Sequence, residues 1–209
     1  MEQRSDEWFQ ARLSKVTASR VSDVLATTKN GEAATRSNYR IQLVTERLTN
    51  EPTKTYVNEA MQHGIDTEDE ARAFYMFSKA DVEEVGFIDH PTIAWAGASP
   101  DGLCNSKSDK DGLGMIEIKC PQPNTHTLTL INRDVPSKYM NQIMWQLACC
   151  PERKWVDFVS YQPSFPENLK MFVKRVYRDD KYIKHLEDEV QKFLTEVEDT
   201  VQFLTQGVQ

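Results

Sequence analysis

Asp101, Glu117 and Lys119 lie in two short stretches, Ser99-Pro100-Asp101-Gly102-Leu103 and Met115-Ile116-Glu117-Ile118-Lys119. The fifteen residues between Asp101 and Glu117 leave room for a loop and a hairpin return. Side chains alternate along a strand, so Glu117 and Lys119 should project from one face while Ile116 and Ile118 enter the core on the other. An acid and a base then stand side by side on a rigid element. Two carboxylates and the Ile118 backbone carbonyl form a set of hard oxygen donors of the kind Mg²⁺ accepts. Hydrolysis of a phosphodiester needs compensated phosphate charge, an activated water and a stabilised leaving oxygen, and a divalent metal held by carboxylates supplies all of them. In that chemistry Asp101 would bridge the metals, Glu117 would add a second carboxylate, and the Lys119 ammonium would orient the attacking water. Each stretch also has an ordinary reading: x-Pro-Asp-Gly-x is a common turn, and Glu-Ile-Lys is the pattern of any half-exposed strand.

Several elements must position these residues. The first half reads as mainly helical, with Val21, Val24 and Leu25 on one face of Thr17–Ala26, and Ile41, Val44 and Leu48 on one face of Ser37–Thr49. Thr67-Glu68-Asp69-Glu70 has the form of a capping box and predicts a helix leading into Ala71, Phe74, Tyr75 and Phe77. Beyond it the period changes. Strands are predicted at Val85–Ile88, Thr92–Ala98, Met115–Lys119, Trp155–Tyr161 and Lys170–Tyr177, interrupted by a helix over Ser137–Cys149. From Lys181 to Leu204, apolar residues recur at Ile183, Leu186, Val190, Phe193, Val197, Val201 and Leu204, the stripe of an amphipathic helix. Such a stripe most often docks on its own core, a subunit or partner contact being the alternative. The expected fold class is α/β (α+β), a central mixed β-sheet flanked by helices. No linker or repeat divides the 209 residues, so one domain is expected: a mainly helical part over 1–80, a sheet core over 85–177 and a C-terminal helix over 181–204.

The formal net charge of −7 weighs at first against an anionic partner such as nucleic acid. Its distribution is uneven. Eight acidic residues against three basic ones between Asp179 and Asp199 give −5, whereas seven basic against three acidic between Ala11 and Arg47 give +4. The N-terminal segment could therefore still meet a phosphate backbone. Cys104, Cys120, Cys149 and Cys150 include no CxxC pair, which suits neither a zinc knuckle nor a disulfide framework, so reduced thiols are expected. Neither a signal sequence nor an apolar run of membrane-spanning length is evident, and the chain reads as an intracellular, cytoplasmic protein. A phosphate-binding Gly-x-x-x-x-Gly-Lys-Ser/Thr loop is also lacking, so ATP is not expected as a motor.

Together the two stretches spell Pro-Asp…Glu-x-Lys, the core of the PD-(D/E)xK nuclease superfamily. From about Glu7 to Tyr182 the chain resembles the phage lambda exonuclease family, the YqaJ-like viral recombinases. The resemblance is carried by Trp8 with Arg12-Leu13 and Val16-Thr17-Ala18-Ser19, by Gly64 with Glu68 and Ala71-Arg72, and by the two stretches, including the flanking Cys120-Pro121. A later helical block, Tyr139-Met140 with Gln142, completes it.

The resemblance implies a restriction-endonuclease-like fold in which Asp101, Glu117 and Lys119 are catalytic. It implies Mg²⁺, in a pair of ions and replaceable by Mn²⁺, held by Asp101, Glu117 and the Ile118 carbonyl with Glu68 as an outer ligand. Arg12, Ser19, Ser99 and Gln142 fall on the family's positions for a terminal 5′-phosphate. Lys29 stands where the lambda protein has a second phosphate-binding arginine, and as a point charge it cannot form the same fork. His63 falls near a metal-binding histidine of the more distant RecB-type nucleases. Met61 falls on an apolar wedge that parts the strands. The implied activity is 5′-to-3′ degradation of one strand of linear duplex DNA to mononucleotides, leaving a 3′ tail. The implied assembly is a homotrimeric ring, working with a single-strand annealing protein of the Red beta type. Two rival expectations remain: another PD-(D/E)xK enzyme, endonuclease or RecB-like, and a non-catalytic clamp on DNA ends. An iron–sulfur RecB-like form would need cysteines bracketing the nuclease core, yet Cys104 and Cys120 lie inside it.

Overall fold

A computed structural model of the protein describes residues 1–29, 31–53, 58–105 and 110–207. The main sheet has four strands, β6 (Gly102–Cys104), β7 (Gly114–Lys119), β8 (Trp155–Tyr161) and β9 (Met171–Tyr177), hydrogen-bonded in that order. β7 and β8 run parallel, and both outer pairs are antiparallel, so the sheet is mixed. A parallel pair cannot be closed by a tight turn. Helices α5 (Pro123–Asn132) and α6 (Met140–Cys149) make the crossover. In a smaller sheet, β5 (Ala96–Ala98) lies between β1 (Val16–Thr17), parallel to it, and β4 (Ile88–Asp89), antiparallel to it. β2 (Thr27–Thr28) and β3 (Gly31–Glu32) form a hairpin. The remaining helices are α1 (Asp6–Arg12), α2 (Val21–Val24), α3 (Ala34–Thr49), α4 (Glu59–Ser78) and α7 (Asp180–Gln206).

Both faces of the main sheet are covered. Met115, Val156 and Phe158 join the larger core with α2, α3, α6 and α7, while Ile116, Ile118, Trp155, Val159 and Tyr161 pack against Ala71 and Tyr75 of α4. β7 is therefore not the half-exposed strand its alternating polarity suggests, and Glu117 is only 1% exposed. Of the expected strands, Trp155–Tyr161 appears with the predicted bounds and Met115–Lys119 and Lys170–Tyr177 each differ by one residue at the start, whereas Val85–Ile88 and Thr92–Ala98 shrink to β4 and β5.

The helical expectations fared unevenly. α4 begins at Glu59, where the Asn58 side chain accepts from the Met61 amide at 2.9 Å. Thr67 is consequently not a cap: it lies inside the helix and its hydroxyl donates to the His63 carbonyl at 2.7 Å. Glu68 thus sits mid-helix. Over Thr17–Ala26 the expected helix is replaced by β1, a 3₁₀ turn (Ala18–Arg20) and the single turn of α2. Val16 and Thr17, both β-branched, pair with Ala96 and Gly97 instead. α3 buries Tyr39, Leu43 and Val44, leaving the expected Ile41 and Leu48 exposed.

α7 packs along α3, and this seam changes the meaning of the charge count. Arg36 grips Glu196 through both terminal nitrogens at 2.8 and 2.7 Å, and Arg40 joins the same carboxylate at 2.7 Å. Arg47 pairs with Glu198 at 2.6 Å. Much of the +4 of the N-terminal segment is therefore neutralised by the −5 helix, and those arginines are not free for phosphate. No helix among the described residues is long and apolar enough to cross a membrane.

Candidate active site

The chain leaves the small sheet after β5, passes through Ser99, Pro100 and Asp101, and enters the main sheet as β6. Asp101 thus occupies the step between the sheets. The pairing of Gly102 with Ile116 ends β6 before it reaches Ile118. The Ile118 amide is left without a strand partner on that edge, and the Asp101 carboxylate takes it at 2.6 Å. A residue's N–H and C=O leave a strand toward the same edge, so the Ile118 carbonyl shares the edge that Asp101 covers. Gly102 is not there to permit a turn: a side chain on it would meet the Val82 methyl group at 2.0 Å.

Glu117 is fixed from above by α6. Gln142 donates to one carboxylate oxygen at 2.7 Å, Gln146 donates to the other, and Lys119 forms an ion pair with the first. Gln142 and Gln146 are one helical turn apart and so share a face. The same helix reaches the small sheet through the Trp145 indole, which donates to the Gly97 carbonyl at 3.2 Å. α6 thereby sets the position of Glu117 relative to the Ser99–Asp101 step. Gln146 was not singled out from sequence, and its only signal was this i, i+4 repeat of glutamine. Gln142, which the resemblance placed at the phosphate, is the other of these two donors to Glu117.

Glu68 approaches from α4. Arg72 donates to one of its oxygens at 2.9 Å and to the Asp101 carbonyl at 3.1 Å, and Arg4 donates to the other oxygen at 2.5 Å. Burial pushes the Asp101 carboxyl well above the usual carboxylate range, and the charges of Glu117 and Glu68 push it further. Burial alone would depress the Lys119 ammonium, but Glu117 and Asp101 outweigh it and hold Lys119 above its ordinary value.

Among the described residues no three His, Cys, Asp or Glu side chains converge as a ready metal cage. The reason is visible in the bonds: Asp101 is turned onto Ile118, Glu117 onto Lys119 and two glutamines, and Glu68 onto two arginines. The donor chemistry nevertheless fits a hard divalent cation, since Asp101, Glu117, Glu68 and the Ile118 carbonyl all offer oxygen. Burial first, and then the nearby charges of Glu117 and Glu68, raise the Asp101 carboxyl, and a bound cation would offset both.

Ser99, two residues before Asp101, accepts from the Trp8 indole at 2.9 Å and from Arg12 at 3.2 Å. The Arg12 guanidinium lies over the Trp8 ring, 4.0 Å from its centroid. Among the described residues no carboxylate pairs with Arg12, and burial pulls its pKa down to about 10. It remains a cation at neutral pH, partly stripped of water and without a counter-ion. β1 and β5 are parallel with Thr17 opposite Gly97, so Ser19 and Ser99 follow the same ends of adjacent strands. Ser19 is exposed, and its hydroxyl lies 3.4 Å from that of Thr17.

The other expected residues are not drawn in. Lys29 is exposed in the turn after β2 and bonds to none of Arg12, Ser19, Ser99 or Gln142. His63 and Met61 belong to the first turns of α4. Met61 is exposed, while the His63 ring meets the Thr67 hydroxyl at 3.5 Å and leaves Nε2 buried without a partner. Neither residue is hydrogen-bonded to Asp101 or Glu117.

Residues 7–152 match the profile of the YqaJ-like viral recombinase domain. The fold is similar to that of LHK-Exo, an alkaline exonuclease from Laribacter hongkongensis, with a TM-score of 0.86, 45% identity and 97% of each chain covered. The LHK-Exo complex with dAMP superposes with a TM-score of 0.87 at the same identity and coverage. A phage-related exonuclease from Haemophilus somnus shares the fold at 12% identity, with a TM-score of 0.71 over 92% of this chain and 96% of that one. Among curated proteins none matches. A mixed sheet flanked by helices is the PD-(D/E)xK fold, and the chain belongs to the YqaJ-like viral recombinase family.

Proposed function

We propose that this protein is a Mg²⁺-dependent exonuclease that degrades the 5′-ended strand of linear duplex DNA to mononucleotides and leaves a 3′ single-stranded tail. The observation that carries the reading is Arg12. Its desolvated guanidinium, with no carboxylate partner among the described residues, is tied to Ser99 two residues from Asp101, an environment that suits an anion held beside the carboxylates. A terminal 5′-phosphate supplies that anion, with Ser99 and Ser19 as hydroxyl donors. The dAMP complex of a 45%-identical relative agrees with a nucleoside monophosphate as product.

Asp101, Glu117 and the Ile118 carbonyl would hold the metal, Glu68 would stand outside them, and Mn²⁺ would substitute. The metal would compensate phosphate charge and make water more acidic. Lys119 is held protonated, so at neutral pH it acts as a cation that orients the attacking water rather than as a base. Gln142 and Gln146 fix the Glu117 carboxylate. Attack at the first internucleotide phosphorus expels the 3′-oxygen of the terminal nucleotide. The departing nucleotide keeps its own 5′-phosphate, and the shortened strand presents a new one to Arg12. Each turnover therefore regenerates the recognised group, and repeated cutting needs no ATP. A homotrimeric ring would keep the protein on its track, and a single-strand annealing protein of the Red beta type would take up the 3′ tail.

Incubation with linear duplexes, with and without 5′-phosphate, and with a closed circle tests the reading. In Mg²⁺ the phosphorylated linear duplex should be degraded fastest and the circle spared, and in EDTA nothing should be cut. Loss of the circle would make the protein an endonuclease, and no digestion at all would make it an end-binding clamp.

A further inference from the structure

Glu68 carries two arginines of different character. Arg72 is buried, with its side chain 8% exposed, and it also bonds to the Asp101 carbonyl and to Asp69, so it belongs to the frame. Arg4 is 40% exposed and, among the described contacts, has Glu68 as its one partner. Yet its position is built. Gln3 donates to the Val85 and Pro100 carbonyls at 2.8 and 2.9 Å, which fastens the segment before α1 to the residue preceding Asp101. Met1 packs against Gly86, where an added Cβ would lie 2.7 Å from the Met1 carbonyl. Ser5 accepts from the Trp8 amide and donates to the Glu2 carbonyl, closing the start of α1. Between these anchors Arg4 has a φ of +70°, a left-handed conformation that a residue with a Cβ keeps only where its surroundings impose it. The result is a part-exposed cation aimed at one oxygen of Glu68 from a fixed base.

Resting on the metal-dependent reading above, we propose that Arg4 is an internal counter-cation of the metal site. It holds Glu68 until a divalent ion takes that carboxylate, and the guanidinium so released engages a phosphate of the bound DNA. Two features favour an exchange over a permanent bridge. The Arg4–Glu68 bond lies at the solvent-facing side of the carboxylate, whereas the Arg72 bond lies inside. A guanidinium freed there keeps its forked donor geometry, which suits a phosphate oxygen pair as well as it suits a carboxylate.

The test begins with calorimetric titration of Mn²⁺ into the protein without DNA. Arg4→Gln should bind Mn²⁺ about two- to fivefold more tightly than wild type, because a competing partly exposed ion pair has been removed. Glu68→Gln should bind it more weakly, and adding Arg4→Gln to Glu68→Gln should gain nothing. The second arm measures binding of a 5′-phosphorylated duplex end by anisotropy in Lys119→Ala protein. There Arg4→Gln should weaken binding and lower the salt slope by about 0.9 in Mn²⁺, the loss of one phosphate contact, while changing neither in EDTA. Unchanged Mn²⁺ affinity in Arg4→Gln, or an equal loss of DNA binding with and without metal, would overturn the exchange. Wild-type protein that takes up no Mn²⁺ would instead remove the metal-dependent reading on which the exchange rests.

Discussion

Arginines of the α3–α7 seam and Arg12 at the end of α1 come from the same basic stretch of sequence, but the fold treats them oppositely. In the seam, Arg36 and Arg40 share Glu196 and Glu32, and hydrogen bonds from Arg36 hold the Glu196 carboxyl below its ordinary range. At the end of α1, Arg12 has an indole face, a serine hydroxyl and, among the described residues, no carboxylate. A partly buried charge without a partner is costly, and folds keep such charges where a ligand completes them. Across the Ser99–Asp101 step, burial and the neighbouring charges of Glu117 and Glu68 hold the Asp101 carboxyl above its ordinary range. Charges paired with one another mark the seam, and buried groups shifted from their ordinary ionisation, Arg12 downward and Asp101 upward, mark the candidate site.

Substitutions can break that contrast. The largest effect should come from Lys119→Ala, which removes the cation beside the attacking water: cleavage should fall by about 100- to 1,000-fold or more, with binding of DNA ends retained. Single-turnover assays beside end-binding measurements check this, and an active variant would show that the catalytic strand is misassigned. Arg12→Ala comes next. It should erase the preference for phosphorylated ends, about 10- to 100-fold, the value of a charge-assisted pair. An unchanged ratio of rates on phosphorylated and unphosphorylated duplexes would put the anion elsewhere. In the seam, Glu196→Gln should leave that ratio untouched and cost about 1 kcal/mol of stability by denaturant titration, since its partners are partly exposed. A changed end preference would mean that the seam is not mere scaffold.

How far the site was legible follows from the kind of physics each residue obeys. Asp101, Glu117 and Lys119 could be read because strand alternation and a hairpin spacing are local rules, and the fold brings those residues together. Gln146 and Arg72 could not, because their roles depend on which helix lies over which strand. The capping-box reading of Thr67 failed because an earlier cap, Asn58, starts the helix. α3 was legible as a helix, but its buried face turned on Tyr39, which stacks with Phe193 of α7, a contact that no local period encodes. The charge argument failed for the same reason: a count along the chain gives the sum but not the pairing.

The smallest predicted effect tests the carboxylate side directly. The Asp101 carboxyl lies above its unfolded value of about 3.9, so in the pH range between the two the folded protein holds a proton that the unfolded chain has lost. Stability from this group is complete below the unfolded pKa and is lost as pH rises through the folded one. At pH 8 without metal, far above the unfolded pKa, Asp101 therefore works against the fold, because folding must either take up a proton or bury the charge. Asp101→Asn cannot ionise and keeps an oxygen for the Ile118 amide. In EDTA at pH 8 it should raise the melting temperature by about 1–3 °C, roughly 0.5–1 kcal/mol, and the gain should vanish toward pH 4. Adding Mg²⁺ should reverse the order, because wild type gains binding energy on folding that the variant lacks. Metal uptake should also strengthen with rising pH as the Asp101 proton is released. A variant less stable than wild type at pH 8 in EDTA would mean that the Ile118 hydrogen bond outweighs the repulsion, and that the site is not poised for a cation.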